Sequence, residues 1–110
     1  MRLVDAHCHL EAEEFAGQTA EILEEAVGAG IIALITAAIR PEQWPITLSL
    51  SKTFPGVYSV LGIHPWYGRE EDIPAIDTLP EFLAQGAVGV GEIGLDTKIE
   101  DPPLSVQTTI

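Results

Sequence analysis

Four apolar runs set the rhythm of the chain. They are Leu3–Val4 leading into Asp5-Ala6-His7, then Ile31–Ala38, Val57–Ile63 and Ala87–Ile93. The last three are nearly continuous in Val, Ile, Leu, Ala and Gly, where a half-buried strand would alternate apolar with polar. That pattern predicts strands covered on both faces, as in a parallel sheet packed by helices. Between the first two runs, Gln18–Ala29 gathers Ala20, Ile22, Leu23, Ala26 and Val27 on one side and Glu21, Glu24 and Glu25 on the other. It reads as an amphipathic helix, with Gly28 and Gly30 as its stop. Pro41 and Pro45 precede a shorter helix over Ile46–Lys52, which closes before Phe54-Pro55-Gly56. A third helix is predicted over Leu79–Gln85, capped by Asp77 or Thr78 and ended by Gly86.

The runs begin at positions 3, 31, 57 and 87, so they are spaced 28, 26 and 30 residues apart. One strand plus one crossover helix occupies that length, so the chain reads as consecutive right-handed parallel β/α units. An open doubly wound sheet and an eight-stranded barrel both use this repeat. A barrel needs roughly 250 residues; the 110 here supply four β/α units. Asp101 as a cap and Pro102 as a first helical residue suggest a last helix that stops after a few residues. The expectation is a single unit over 1–110 belonging to a longer fold.

Composition narrows the classes. With 46% hydrophobic residues the chain has enough to bury, which sets it apart from disordered acidic segments. Its one Cys, Cys8, excludes a disulfide framework. No apolar run approaches the roughly 18 residues of a membrane span. Asp5 interrupts the N-terminal stretch where a signal peptide would be apolar, so a soluble cytoplasmic protein is expected. The net charge of −12, from 17 acids against 5 Lys and Arg, leaves no broad basic surface for phosphate backbones. An anionic substrate would need local help, for example from bound metal.

Candidate chemistry clusters at the C-terminal ends of the predicted strands, where parallel α/β folds assemble their sites. In Asp5-Ala6-His7-Cys8-His9, side chains two apart on a strand point the same way. His7 and His9 can therefore converge on one ion, with Asp5 on the same face; imidazoles so placed suit zinc, iron, nickel or manganese. Glu92 ends an otherwise apolar strand in Val88-Gly89-Val90-Gly91-Glu92-Ile93-Gly94-Leu95-Asp96. A buried carboxylate there needs a partner, and a metal supplies one. Gly91 and Gly94 are read as positions of close backbone or ligand approach, and Asp96 as an outer acceptor or a cap. In Gly62-Ile63-His64-Pro65-Trp66-Tyr67, His64 can reach a substrate oxygen or donate a proton. Pro65 and Trp66 would wall the mouth, with Trp66 offering an apolar face for stacking. Cys8 points away from both histidines and reads as a small buried apolar residue. Glu11, Glu13 and Glu14 read as a solvated turn, as do Glu70, Glu71 and Asp72, and Trp44 as packing.

Together these segments resemble the TatD family of metal-dependent hydrolases, within the amidohydrolase-like barrels. The match lies in Asp5-Ala6-His7-Cys8-His9-Leu10, Gly62-Ile63-His64-Pro65 and Val90-Gly91-Glu92-Ile93-Gly94-Leu95-Asp96, in that order, with Gln107 in the following helix. His-x-His is shared with other hydrolases; Gly-Glu-Ile-Gly-Leu-Asp is far more specific. The resemblance implies the N-terminal half of a (β/α)₈ barrel of TIM-barrel type. It further implies two divalent ions (Mg, Mn or Zn) in the complete site, with His7 and His9 holding one and Glu92 bridging both. A bridging water would then attack a phosphodiester, and His64 would contact the scissile phosphate. Family members are described as deoxyribonucleases, so DNA or another phosphodiester is the implied substrate. The family's other ligands, two histidines and an aspartate, come from later strands, so the 110 residues alone are expected to be inactive. A polymerase-and-histidinol-phosphatase type of phosphoesterase also opens with His-x-His. A non-catalytic half-barrel that self-associates through its open strand edges is the reading outside the enzyme class.

Overall fold

The computed structural model describes residues 1–110. Four strands, β1 (Leu3–Cys8), β2 (Ile31–Ala38), β3 (Val57–Leu61) and β4 (Gly89–Val90), form one sheet in the order β1-β2-β3-β4. Every pairing is parallel. That order decides between the two architectures the spacing left open. A doubly wound sheet reverses direction at a switch point, whereas here each crossover steps one place the same way, as around a barrel. The protein is part of a (β/α)₈-type barrel, four strands of it.

The crossovers are α1 (Thr19–Gly28), α2 (Trp44–Thr53) and, between β3 and β4, the short α3 (Ile73–Ile76) and α4 (Leu79–Leu83). A final turn, α5 (Leu104–Gln107), follows β4. The first two helices fall where the apolar periodicity puts them. The last begins later than Asp101-Pro102 suggests: Pro103 is its N-cap, and the Asp101 carboxylate lies 3.8 Å from the Arg69 guanidinium instead. Thr78 occupies the N-cap position of α4, but its hydroxyl donates back to Ala75 O at 2.7 Å. No helix of the chain is long and apolar enough to cross a membrane.

The core lies between the sheet and the helices. One cluster joins Ala38, Leu61 and Ile63 to Trp44 and Leu48 of α2, with Leu79 and Phe82 packed against it. A second joins Leu10, Leu34 and Val57, flanked by Ile22 and Leu23 of α1. Trp44 is fully buried, and its indole N–H donates to Gly62 O at 2.9 Å, so the packing residue also satisfies a carbonyl at the end of β3.

The expectation of strands covered on both faces fails. Val4 on β1, Ile32 on β2, Tyr58 on β3 and Val88 and Val90 at β4 are each about half exposed. The solvent-accessible surface of 6695 Å² exceeds the roughly 5,900 Å² typical of a compact monomer of this mass. β1 and β4 each lack an outer neighbour. The fourth strand is also shorter than its apolar run. The ladder holds from Val88 N–H to Ser59 O (2.8 Å) to Gly91 N–H to Leu61 O (3.0 Å), and then the chain turns away at Glu92.

Candidate metal centre

His7 and His9 leave the end of β1 on the same side, as alternation requires, and Glu92 arrives from the end of β4. His7 Nε2 lies 3.2 Å from Glu92 Oε1, and His9 Nε2 lies 3.7 Å from Glu92 Oε2. The two imidazole Nε2 atoms are 3.3 Å apart. One potential ligand atom from each residue falls within 4.8 Å of the others. Asp5, although on the same face, is turned to the His7 backbone N–H (3.1 Å) and takes no part in the cluster.

The protonation of His9 follows from its neighbours. Its Nδ1 is 2.8 Å from Ala37 O at the end of β2. A carbonyl only accepts, so Nδ1 carries the proton and Nε2 presents a lone pair to the cluster. Glu11 reinforces that choice. Its Oε1 lies 3.1 Å from the same Nδ1, and its Oε2 accepts from the Thr36 hydroxyl, whose oxygen accepts from Leu10 N–H at 3.0 Å. Glu11 is therefore buried and hydrogen-bonded, and the reading of it as part of a solvated turn is corrected. What separates it from Glu13 and Glu14, both exposed, is that Thr36 of β2 and His9 of β1 offer it partners. Its one sequence signal is its place two residues beyond His9.

Two imidazole nitrogens and a carboxylate brought within ligand distance of one small volume form an arrangement that a divalent cation fits. The donor set, two nitrogens and carboxylate oxygen, fits a zinc- or manganese-type ion, and the bond from the far nitrogen of His9 to a carbonyl is the usual support for a metal ligand. Cys8 takes the opposite face, donating to Ile35 O at 3.4 Å. Burial, then the nearby charges of Asp5 and Glu11, push its thiol up to about 11. It is a poor ligand for that reason as well as for its direction.

Close backbone approach occurs at a glycine the sequence did not single out. A Cβ on Gly62 would stand 2.6 Å from both Gly91 C and Glu92 O. The peptide that delivers Glu92 runs directly over Gly62, whereas Gly91 and Gly94 have room for a Cβ. Gly94 is needed for another reason, its φ of +152°.

His64 stands outside the cluster, on the wall of the same cleft. Its backbone N–H is tied to Ile39 O at 3.0 Å, and its Nδ1 accepts from Trp66 N–H at 3.1 Å. In the neutral ring the proton then sits on Nε2, making His64 a donor. A cleft of about 990 Å³ runs past His9, Glu92 and His64 to Arg40, with Glu13, Glu14 and Glu42 on its rim. Arg40 is stacked 4.5 Å above the Tyr67 ring. Another cleft, of about 510 Å³, is also lined by Trp66, His64 and Glu92. Asp96, which also lines it, accepts the Trp66 indole N–H at 2.8 Å. That bond, with one from Lys98 N–H, holds the Asp96 carboxyl below its ordinary value.

Against known proteins, residues 4–110 match the model of the TatD-related DNase family. The chain belongs to the TatD family. This decides between the two His-x-His families, in favour of the one indicated by Gly91-Glu92-Ile93-Gly94-Leu95-Asp96. A zebrafish (Danio rerio) relative, named a putative deoxyribonuclease tatdn3, is 36% identical over 84% of this chain and 38% of its own. An Escherichia coli relative, the uncharacterized metal-dependent hydrolase YjjV, is 31% identical over 96% of this chain and 42% of its own. The crystal structure of YjjV superposes with a TM-score of 0.81, covering 97% of this chain and 42% of that one. A more distant relative from Salmonella typhimurium, 27% identical over 86% of this chain and 36% of its own, is named a 3'-5' ssDNA/RNA exonuclease TatD. This TatD chain thus spans about two-fifths of the length of the curated relatives it matches.

Proposed function

We propose that this TatD chain carries one wall of a two-metal phosphodiesterase, with His7 and His9 holding one divalent ion and Glu92 reaching across to a second. The observation that carries the reading is the convergence of His7 Nε2, His9 Nε2 and Glu92, with the His9 tautomer fixed by Ala37 O. Relatives named as deoxyribonucleases, metal-dependent hydrolases and an exonuclease support the chemical class. Divalent cations in such a site supply Lewis acidity and make water a competent nucleophile near neutral pH.

The chain's own residues account for the rest. The two oxygens of Glu92 are divided between the two imidazoles, 3.2 and 3.7 Å away, which suits a carboxylate shared between ions. His64, its Nδ1 occupied by Trp66 N–H, offers Nε2–H to a phosphate oxygen in the cleft. The rim carboxylates Glu13, Glu14 and Glu42 repel a polyanion, so a bound phosphate must be held close to the metals and to Arg40. Three protein ligands leave open positions on a bound ion, where water or a substrate oxygen would sit.

Calorimetric titration of the chain with Mn²⁺ or Zn²⁺ tests the reading. His7→Ala and Glu92→Gln are each expected to weaken binding by tenfold or more. Equal affinity in both variants and the native chain overturns it.

A further inference from the structure

We propose that the Trp66 indole is a preorganised stacking platform for an unpaired nucleobase of the substrate, next to the scissile phosphate. The inference rests on the phosphodiesterase reading and specifies what that site recognises.

The two tryptophans differ in what holds them. Trp44 is 1% exposed and belongs to the core; Trp66 is 51% exposed and packs in neither core cluster. Yet Trp66 is fixed at several points. Its indole N–H donates to Asp96 Oδ2 at 2.8 Å, its backbone N–H to His64 Nδ1 at 3.1 Å, and its carbonyl accepts from Arg69 Nη1 at 3.3 Å. Its ring meets His64 edge to face, with centroids 5.3 Å apart.

Asp96 is itself anchored. Gln107, buried, accepts from Asp96 N–H at 2.8 Å and donates to Asp96 O at 3.1 Å and to Pro102 O at 2.8 Å. A chain of bonds from α5 through the loop after β4 thus fixes an indole on the loop after β3. Immobilising a large aromatic without burying it gains little for the fold. It benefits a ligand, because the ordering cost is met before binding.

The chemistry of the adjoining cleft selects a base over a phosphate. Trp66, Pro65, Ile93 and Leu95 line it beside His7, His64, Glu92 and Asp96, and neither lysine nor arginine does. Away from the metal ligands, with no cation among its side chains, the part around Trp66 offers a phosphate backbone no attraction of its own. A heterocycle with an apolar face and polar edges suits it: the face stacks on Trp66, and stacking tolerates any base. A base in a duplex has both faces occupied, so the platform takes unpaired nucleotides. Trp66 and His64 also line the cleft containing Arg40 and His9, so a base stacked on Trp66 lies beside a phosphate that His64 contacts.

Tryptophan emission of the metal-free chain reads this directly, because Trp66 supplies the solvent-exposed component and Trp44 the buried one. Titration with thymidine, thymidine 5′-monophosphate and deoxyribose 5-phosphate separates base from phosphate recognition. Quenching of the red-shifted component by the first two, at concentrations at least about tenfold below any response to the third, is expected. Trp66→Leu should abolish the quenching while Trp44 keeps its blue-shifted emission. Asp96→Ala, which releases the indole, should weaken thymidine binding several-fold. An equal response to thymidine 5′-monophosphate and deoxyribose 5-phosphate, or no response to thymidine, overturns the proposal without recourse to a variant. Metal affinity is measured separately. If the chain binds no divalent ion, the phosphodiesterase reading falls, while the thymidine result still supports or refutes the platform.

Discussion

Replacing Glu11 by alanine removes one of two acceptors for His9 Nδ1–H and the acceptor of the Thr36 hydroxyl. Ala37 O, at 2.8 Å, remains to hold the His9 tautomer. Loss of a partner behind a metal ligand costs about 10- to 100-fold in metal affinity. With one of two acceptors retained, the expected loss is about tenfold, or about 1.4 kcal/mol. The Thr36 side chain is fully buried, and orphaning a buried hydroxyl adds about 1–3 kcal/mol of lost fold stability. Glu11→Gln separates the two effects. The amide oxygen can still accept from His9, while the amide NH₂ replaces the oxygen that accepted the Thr36 O–H and leaves that proton without its acceptor. Stability should therefore fall while metal affinity drops only about threefold. Calorimetry with Mn²⁺ or Zn²⁺, denaturant melts, and ¹⁵N shifts of the His9 ring read the three quantities. Undiminished metal affinity in a folded Glu11→Ala protein would falsify the supporting role of Glu11.

Gly62→Ala should lower stability by about 1–3 kcal/mol, because the added methyl meets the Gly91–Glu92 backbone at 2.6 Å and no side chain can yield. Metal affinity should fall with it as Glu92 is displaced; Gly28→Ala, with no atom within 4 Å of its Cβ position, is the control and should leave both unchanged or slightly improved. An undisturbed melt for Gly62→Ala would show that β4 adjusts freely. Cys8 should resist alkylation at neutral pH and react only as the solution approaches pH 11. Since its folded value lies above the ordinary 9.0, the stability it contributes is full below pH 9 and is lost as the pH rises through about 11; rapid alkylation of the native chain at neutral pH would contradict this. The open edges of β1 and β4, lined by Val4, Val88 and Val90, should pair with a second copy. The charge of −12 opposes that association, so light scattering should show dimer increasing with salt and dispersed by Val4→Lys. A monomer at every salt concentration would rule it out.

Much of the fold and the centre of the candidate site could be read directly, because both are written in short-range patterns. The spacing of apolar runs defines β/α units whatever their final arrangement. Strand alternation puts His7 and His9 on one side and Cys8 on the other, and a lone acid at the end of an apolar run marks Glu92. What the sequence left open depends on pairs of residues far apart in the chain. Strand order decides between a barrel and a doubly wound sheet, and no local period encodes it. Glu11 looks like its exposed neighbours until β2 brings Thr36, 25 positions away, against it. Gly62 matters because the peptide before Glu92 crosses it, and Trp66 because Asp96, 30 positions on, holds its indole. Local pattern fixes which way a side chain points; only the register of distant segments fixes what it meets there, and hydrogen bonds and close contacts are decided at that second step.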